Sequence, residues 1–257
     1  MTATGAFSST RARWLAPAAG VLLLAIFVAP VVAPGVQLYY RDTGRLYYPV
    51  KLYIAQALAH GRLALWDSMC EAGVSLLGQV TPGLLHPFTL LYAALPFDLA
   101  FKLNHLFGLM LGGIGVYRLG RRLSASPWAC LAGAAAYAGS GYLVSMAASN
   151  LPYALGAGSL PLAVDALLGF LDRPGPGRML WAAAALALVA YAGEPQSMWL
   201  AGLVGGTWAV LRGAAETRLR GALRGAGWAT AWGALALCLA APVALPAAWQ
   251  LRRSDRA

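Results

Sequence analysis

The sequence has 257 residues, of which 60% are hydrophobic and 11% are charged. With a mean hydropathy of +0.63, this composition excludes an ordinary soluble domain and predicts an all-α polytopic membrane protein. The net charge of +10 comes from short basic clusters between apolar runs, a pattern typical of membrane topology rather than of nucleic-acid binding. The three cysteines are scattered without a metal-binding spacing.

The N-terminal segment predicts a short cytoplasmic tail and a first transmembrane helix. Residues 1–13 end in Arg11 and Arg13, and basic residues favour the cytoplasmic side of a membrane. Residues 14–36 carry no charge and exceed the roughly 20 residues that one span needs. We therefore expect a cytoplasmic N-terminus and place the next segment outside.

Residues 37–98 predict a large extracytoplasmic loop. The loop contains several acidic residues in an otherwise apolar chain: Asp42, Asp67, Glu71 and Asp98. A helical spacing of apolar residues predicts an interfacial helix over 50–60, with Val50, Ile54, Ala57 and Leu58 on one face. Lys51, Gln56 and His60 are placed elsewhere on that helix, and Gly61 is expected to end it. Residues 85–95 are too short for a crossing and predict a half-buried segment.

Six further apolar runs bring the predicted number of spans to about seven, in one transmembrane domain over 14–257. Their predicted bounds are 99–117, 127–146, 151–171, 176–193, 197–213 and 226–249. The fifth and sixth spans are expected to form a hairpin around the Gly193–Gln196 stretch. A single kinked span is the alternative, but it would put two arginine clusters on opposite sides of the membrane.

Two carboxylates are the candidate catalytic groups. Asp42 follows the first span, where a carboxylate is able to deprotonate an acceptor hydroxyl or to bind a divalent cation. The alternative is a solvated loop residue paired with Arg41 or Arg45. Glu194 interrupts two apolar runs, where an ionisable residue is a functional candidate and Gln196 would assist it. The alternative for Glu194 is a turn residue among the lipid headgroups.

Other polar residues have plainer expected roles. His60, His86 and His105 lie on three separate elements, which favours interfacial histidines over a metal site. Asp165 lies within a predicted span and is expected to satisfy a neighbouring helix rather than to do chemistry.

The C-terminal arginines and the loop aromatics suggest substrate contacts. Arg252, Arg253 and Arg256 lie outside in this topology, where guanidinium groups would match the phosphate of a lipid-linked sugar. The alternative is that this end lies in the cytoplasm. Aromatic residues of the loop are able to stack on a sugar or to form an interfacial belt: Tyr39, Tyr40, Tyr47, Tyr48, Tyr53 and Trp66.

Several stretches together resemble the bacterial YfhO membrane protein family, within the C-type glycosyltransferases that use polyprenyl-phosphate-linked sugars. These stretches are RDTGRLYYP, GRLALWDSMCEAGVSLLGQVTPGLLHPFTLLYAALP, GSGYLVS followed by Asn150, GEPQ and LPAAWQLRRSDR. GEPQ stands where the family usually has Gly-His-Pro-Gln, so Glu194 departs from the family pattern. Members are generally longer, and the resemblance implies that the chain is the N-terminal part of such a protein.

The resemblance implies a glycosyltransferase module of the bacterial inner membrane. It implies that Asp42 is catalytic or bound to a divalent cation, and that Ser254 and Arg256 match the family's Ser-x-Arg ending. With the residues singled out above, the expected substrate-binding set is Arg41, Tyr48, Trp66, Asp67, Gln196, Arg253 and Arg256. The expected partners are the lipid bilayer and a polyprenyl-phosphate-linked sugar, with no nucleic acid. The alternatives are a non-catalytic protein that binds lipid-linked substrates and a transporter.

Overall fold

The computed structural model describes residues 15, 18–23, 25–26, 29, 31, 33–37, 39–68, 70 and 73–253. The described residues between 15 and 31 are helical, within the range predicted for the first span. Two contacts fix the end of this segment to the start of a later helix. Lys102 Nζ donates to the carbonyl oxygen of Ala33 at 2.9 Å, and Gln37 Nε2 donates to Asp98 Oδ1 at 2.9 Å. The predicted tail 1–13 and Arg256 lie outside the described residues.

The loop between the first and second predicted spans is folded. A π-helix, Thr43–Tyr47, leads into α1, Tyr48–Ala59, which ends near Gly61 at a φ of 65° as the sequence predicts. A two-residue antiparallel pairing, β1 Trp66–Asp67 with β2 Val74–Ser75, was not expected from the sequence. The loop closes with a 3₁₀ helix, Pro87–Leu90, and the short α2, Leu91–Ala94, neither of which is long enough to cross a membrane.

Six helices follow the loop. They are α3 Phe97–Arg122, α4 Pro127–Ala138, α5 Gly141–Ser149, α6 Leu151–Asp172, α7 Pro176–Tyr191 and α8 Pro195–Leu251. Proline near the first helical position starts α4, α6, α7 and α8, where its missing N–H leaves no unmet hydrogen bond. Serine hydroxyls accept backbone N–H groups at the starts of α4 and α5, from Ser126 and Ser140 respectively.

The centre of the bundle is α6, which contacts α3, α5, α7 and α8. Its buried side chains Leu167 and Phe170 join Leu186 of α7 and Trp232 of α8 in one apolar core. Trp232 is fully buried, and its indole Nε1 donates to the carbonyl oxygen of Ala182 at 2.8 Å. Because α6 has neighbours on nearly every side, its sequence is apolar around its whole circumference.

The chain is a helical membrane protein, as its composition predicts. Among the described residues, α3, α6 and α8 are long and apolar enough to cross a membrane. A fourth span results if α4 and α5, which are bent by 44° at their junction, form one crossing. The 16 residues of α7 extend only about 24 Å at 1.5 Å per residue, short of a hydrocarbon core of about 30 Å.

The helices of the structure differ from the predicted spans in several places. The predicted span 127–146 is two helices, because Ser140 caps a new helix directly after Gly139. The predicted span 99–117 runs as α3 from Phe97 to Arg122. The predicted loop between 213 and 226 is almost wholly helical, and only Thr217 and Arg218 leave the helical conformation within α8.

The break at Thr217 and Arg218 folds α8 into two antiparallel arms, 195–216 and 219–251. Arg218 has a φ of 51°, which reverses the chain direction. The arms touch through glycines, since a Cβ added to Gly213 or Gly221 would strike the backbone carbonyl of the other. Further along, Gly225 meets Ala209 and Gly205 meets the ring of Trp232. Small residues of this kind permit close approach of membrane helices.

The bundle therefore has two ends. The loop end contains residues 37–96, the Asn150 junction, the 192–194 turn and the end of α8. The arginine end contains residues 118–126, 165–178 and 212–224, which together hold nine arginines and three carboxylates. Asp165 is 2% exposed and accepts from Arg118 Nε at 2.7 Å and from Arg122 Nε at 2.8 Å, which confirms its predicted helix-pairing role.

Candidate functional site

Glu194 lies buried at the loop end, at the start of α8. Its carboxylate accepts the backbone N–H of Gln196 at 2.5 Å and that of Ser197 at 2.7 Å, so it caps the helix. Gly193 before it has a φ of 91° and lies so close to Val80 that an added Cβ would come within 2.7 Å of the Val80 carbonyl oxygen. The turn is thus held against the loop by backbone contact.

Glu194 is 2% exposed, so the turn that the sequence analysis gives as its alternative is packed inside the protein. The Glu-Pro order is the signal for its capping role, because proline is favoured immediately after an N-cap residue. Its carboxylate also lies beside α6, where an added Cβ on Gly156 would come within 3.1 Å of Glu194 Oε2. A negative charge at a helix N-terminus is stabilised there by the helix dipole.

Asp42 lies exposed at the start of the π-helix, beside a buried phenol. Tyr47 is 4% exposed, and its hydroxyl donates to Asn150 Oδ1 at 2.9 Å. Burial raises the pKa of Tyr47, and the charge of Asp42 followed by the neighbouring Tyr153 raises it further. The Asp42 carboxylate therefore faces a protonated phenol that is anchored to the junction of α5 and α6.

The remaining predicted binding residues are distributed around the same end. Arg41 is exposed and has a φ of 48°. Gln196 is also exposed, and its backbone N–H donates to the Glu194 carboxylate. The Arg253 guanidinium carbon is 3.9 Å from the centre of the Trp249 ring. The adjacent Gln250 packs against Gly78, which brings the end of α8 to the loop.

The loop aromatics are partly structural. Tyr48 is half-buried, with ring centres 5.1 Å from Phe97, 5.2 Å from Phe101 and 6.1 Å from Tyr39. Trp66 is exposed and lies over Gly73, whereas Asp67 of the same strand is buried. Tyr53 donates its hydroxyl to the carbonyl oxygen of Trp66 at 2.9 Å, which attaches the hairpin to α1.

The predicted divalent cation does not find a protein-built site in the described part of the chain. No group of three or more His, Cys, Asp or Glu side chains there is close enough to hold a metal ion. Asp42 therefore belongs to no such group in the described part of the chain, whereas a protein metal centre uses several ligands.

A buried polar cluster around Lys51 was missed by sequence reasoning. Lys51 is 2% exposed, donates through Nζ to the carbonyl oxygen of Pro82 at 2.7 Å, and lies 5.6 Å from the centre of the Tyr92 ring. The expectation that Lys51 lies off the buried face of α1 is wrong. The spacing of Lys51 in the sequence indicates its burial. Lys51 follows the buried Tyr47 by four residues and precedes the buried Ile54 and Ala55 by three and four, so all four lie on one face of the helix.

Two histidines belong to this cluster and are not interfacial, contrary to prediction. His86 is 2% exposed and His105 is fully buried. Nδ1 of His86 accepts the backbone N–H of Phe88, whereas Nδ1 of His105 contacts the carbonyl oxygen of Phe101 and must carry a proton. Burial, with a smaller effect of the Lys51 charge, lowers the pKa of His86 to about 3. His86 is therefore neutral at physiological pH.

The pH dependence of stability should report on Lys51. Burial lowers the pKa of Lys51 to about 7, so between pH 7 and about 10.5 the unfolded state binds more protons than the folded state. Stability should accordingly rise with pH in that window, by at most about 1.4 kcal/mol per pH unit from this group. Chemical unfolding in detergent at a series of pH values measures the slope.

The variant Lys51→Met should lose this slope, because methionine does not titrate. The matched variant Lys102→Met should keep it. An unchanged slope in Lys51→Met would show that the lysine is not desolvated in the folded protein.

The comparisons with known proteins establish no family. No family model matches the sequence, and no curated protein or solved structure is significantly similar to the chain.

Proposed function

We propose that the protein is a membrane glycosyltransferase module that transfers a sugar from a polyprenyl-phosphate donor to an acceptor of the cell envelope. The observation that supports this most is the exposed Asp42 carboxylate at the loop end, beside the Tyr47 phenol that is hydrogen-bonded to Asn150. The resemblance of the loop to the YfhO family points to the same aspartate. The proposal makes Asp42 the general base and Arg253 a phosphate ligand.

The proposed reaction is a single displacement. An acceptor hydroxyl gives its proton to the Asp42 carboxylate while its oxygen forms a bond to the anomeric carbon of the donor sugar. The bond between that carbon and the phosphate oxygen breaks, and the electron pair leaves with the polyprenyl phosphate. Arg253 would stabilise the charge on the leaving phosphate, because guanidinium groups match phosphate oxygens.

The proposed topology has seven membrane passes in a bacterial inner membrane. The passes are the segment containing 15–31, α3, the α4–α5 pair, α6, α7 and the two arms of α8. Arginine-rich connections are typical of the cytoplasmic side, which supports placing the arginine end and the N-terminus inside. The loop, the Glu194 turn and the end of α8 would then face outward, where a lipid-linked sugar and an acceptor meet.

Substitution of Asp42 tests the proposed role. We expect Asp42→Asn to lower sugar transfer by about 100-fold or more, since positioned general bases contribute roughly that much. The measurement follows labelled hexose from polyprenyl-phosphate hexose into an envelope acceptor, with the full chain in liposomes. The control is Asp98→Asn, an exposed aspartate in the first turn of α3 at the same end of the bundle, which should transfer at the original rate. If Asp42→Asn transferred sugar as fast as Asp98→Asn, Asp42 would have no role as the general base.

A non-catalytic, donor-binding function is the second candidate. It is favoured by the capping role of Glu194, because both carboxylate oxygens already accept backbone N–H groups. It predicts donor binding without any transfer, and Glu194→Gln would then affect thermal stability but leave donor affinity unchanged. Equilibrium binding of the labelled donor in liposomes, measured beside the transfer assay, separates the two functions.

A further inference from the structure

A groove opens at the arginine end, between the ends of α3 and α6 and the first arm of α8. Its volume is about 490 Å³. One side is polar, formed by Arg122, Arg212 and the single carboxylate of Asp172, and the other is apolar, with Leu168, Trp208 and Leu211. Trp208 is 44% exposed and Leu211 is 62% exposed, so the apolar side is open to the surroundings of the helix.

The two guanidinium groups are held in place by one carboxylate. Asp172 accepts from Arg122 Nη1 at 2.6 Å and from Arg212 Nη1 at 2.6 Å, through different oxygens. Nε of Arg122 is bound to Asp165 at 2.8 Å, and Nε of Arg212 lies 3.5 Å from Glu216. The Arg212 side chain is 35% exposed, so its two carboxylate partners orient it while part of the guanidinium group, which has five N–H donors, stays accessible to a further anion.

The surrounding charge favours an anion. The arginine end carries nine arginines against three carboxylates, so the field around the groove is positive after every ion pair is counted. Basic pockets between membrane helices attract acidic lipid headgroups, and guanidinium groups bind phosphate in a fixed geometry. A soluble anion would use the arginines alone, whereas the exposed Trp208 and Leu211 side chains suit an acyl chain.

We propose that this groove binds an anionic phospholipid, with the headgroup phosphate on Arg212 and Arg122 and an acyl chain along Trp208 and Leu211. The site lies at the opposite end of the bundle from Asp42 and Glu194, so it is independent of the proposed sugar transfer. It requires only that the helices lie in a bilayer.

Lipid binding to the full chain in detergent tests the proposal. Native mass spectrometry should show that phosphatidylglycerol binds at least tenfold more tightly than phosphatidylcholine. Arg212→Gln should lower the phosphatidylglycerol affinity about tenfold, and phosphatidylcholine binding should not change. The matched control is Arg220→Gln, which removes the same charge from an exposed position outside the groove and should keep the original affinity.

A second variant tests the apolar side without disturbing the ion pairs. Trp208→Ala should weaken phosphatidylglycerol binding several-fold, and Trp199→Ala, at an 80% exposed tryptophan of the same arm, should not. If Arg212→Gln and Arg220→Gln lowered the phosphatidylglycerol affinity equally, the effect would come from the overall positive charge, and the proposed site would be overturned. Competition by glycerol phosphate as strong as by phosphatidylglycerol would overturn it as well, because the groove would then bind a free anion only. Equal affinity for phosphatidylglycerol and phosphatidylcholine would also overturn the site.

Discussion

Replacing Asp165 by asparagine should lower the free energy of unfolding by about 2 to 4 kcal/mol, because a buried carboxylate with two charged partners is lost. The carboxylate is 2% exposed, and Arg118 and Arg122 both bind it through Nε. Asparagine has nearly the same shape, so the change removes charge without opening a cavity. Thermal and chemical unfolding in detergent, followed by tryptophan fluorescence, would measure the loss.

Substitution of Arg118, an arginine partner of Asp165, should lower the free energy of unfolding far less than substitution of Asp165 itself. Arg118 is 53% exposed, and in Arg118→Gln the Asp165 carboxylate keeps Arg122 as a partner. We expect a loss of about 1 kcal/mol or less, as for other ion pairs at an exposed position. A loss in Arg118→Gln equal to that in Asp165→Asn would contradict the view that the buried carboxylate is the sensitive member.

The helices that the sequence predicts well are those whose ends have local signals. The fourth predicted span, 151–171, agrees with α6 to within one residue, because Asn150 precedes it, Pro152 lies in its first turn, and Arg173 and Pro174 follow it. The break between α4 and α5 also has a local signal in Ser140, a good N-cap residue. Hydropathy alone misses that break, since both helices are apolar.

The turn within α8 has no comparable local signal. Apart from three glycines, residues 212–225 are mainly arginine, alanine and leucine, which are as compatible with a helix as with a membrane-proximal loop. The chain reverses at Thr217 and Arg218 because glycines on both arms permit close packing there. This choice depends on contacts between distant residues, which the local sequence does not contain.

The candidate site was predictable only where it depends on the order of the apolar runs and not on contacts between distant residues. Alternating apolar runs correctly bring the loop, the Glu194 turn and the end of α8 to one end of the bundle. The burial of Lys51 and of His105 depends on how α1, the 80–86 segment and α3 pack against one another. Composition favours exposed positions for lysine and histidine, so only the spacing of Lys51 on the apolar stripe of α1 pointed inward.

The crossing of α3 and α6 should be among the most sterically restricted contacts in the described bundle. A Cβ added to Gly158 of α6 would overlap the Gly108 carbonyl group of α3, and one added to Gly108 would come within 2.5 Å of the Ala154 carbonyl oxygen. Both obstacles are backbone atoms, which cannot rotate away. We expect Gly158→Ala to lower the free energy of unfolding by about 3 kcal/mol, at the upper end of ordinary overpacking costs.

The matched control, Gly227→Ala in the second arm of α8, should change stability in the opposite direction. Gly227 is exposed, and an added Cβ there has no atom within 4 Å. Alanine should therefore gain up to about 1 kcal/mol from its higher helix propensity without any steric cost. Unfolding of both variants in the same detergent isolates the effect of close approach, because the chemical change is identical. If Gly158→Ala were as stable as Gly227→Ala, α3 and α6 would have to lie farther apart than this structure has them.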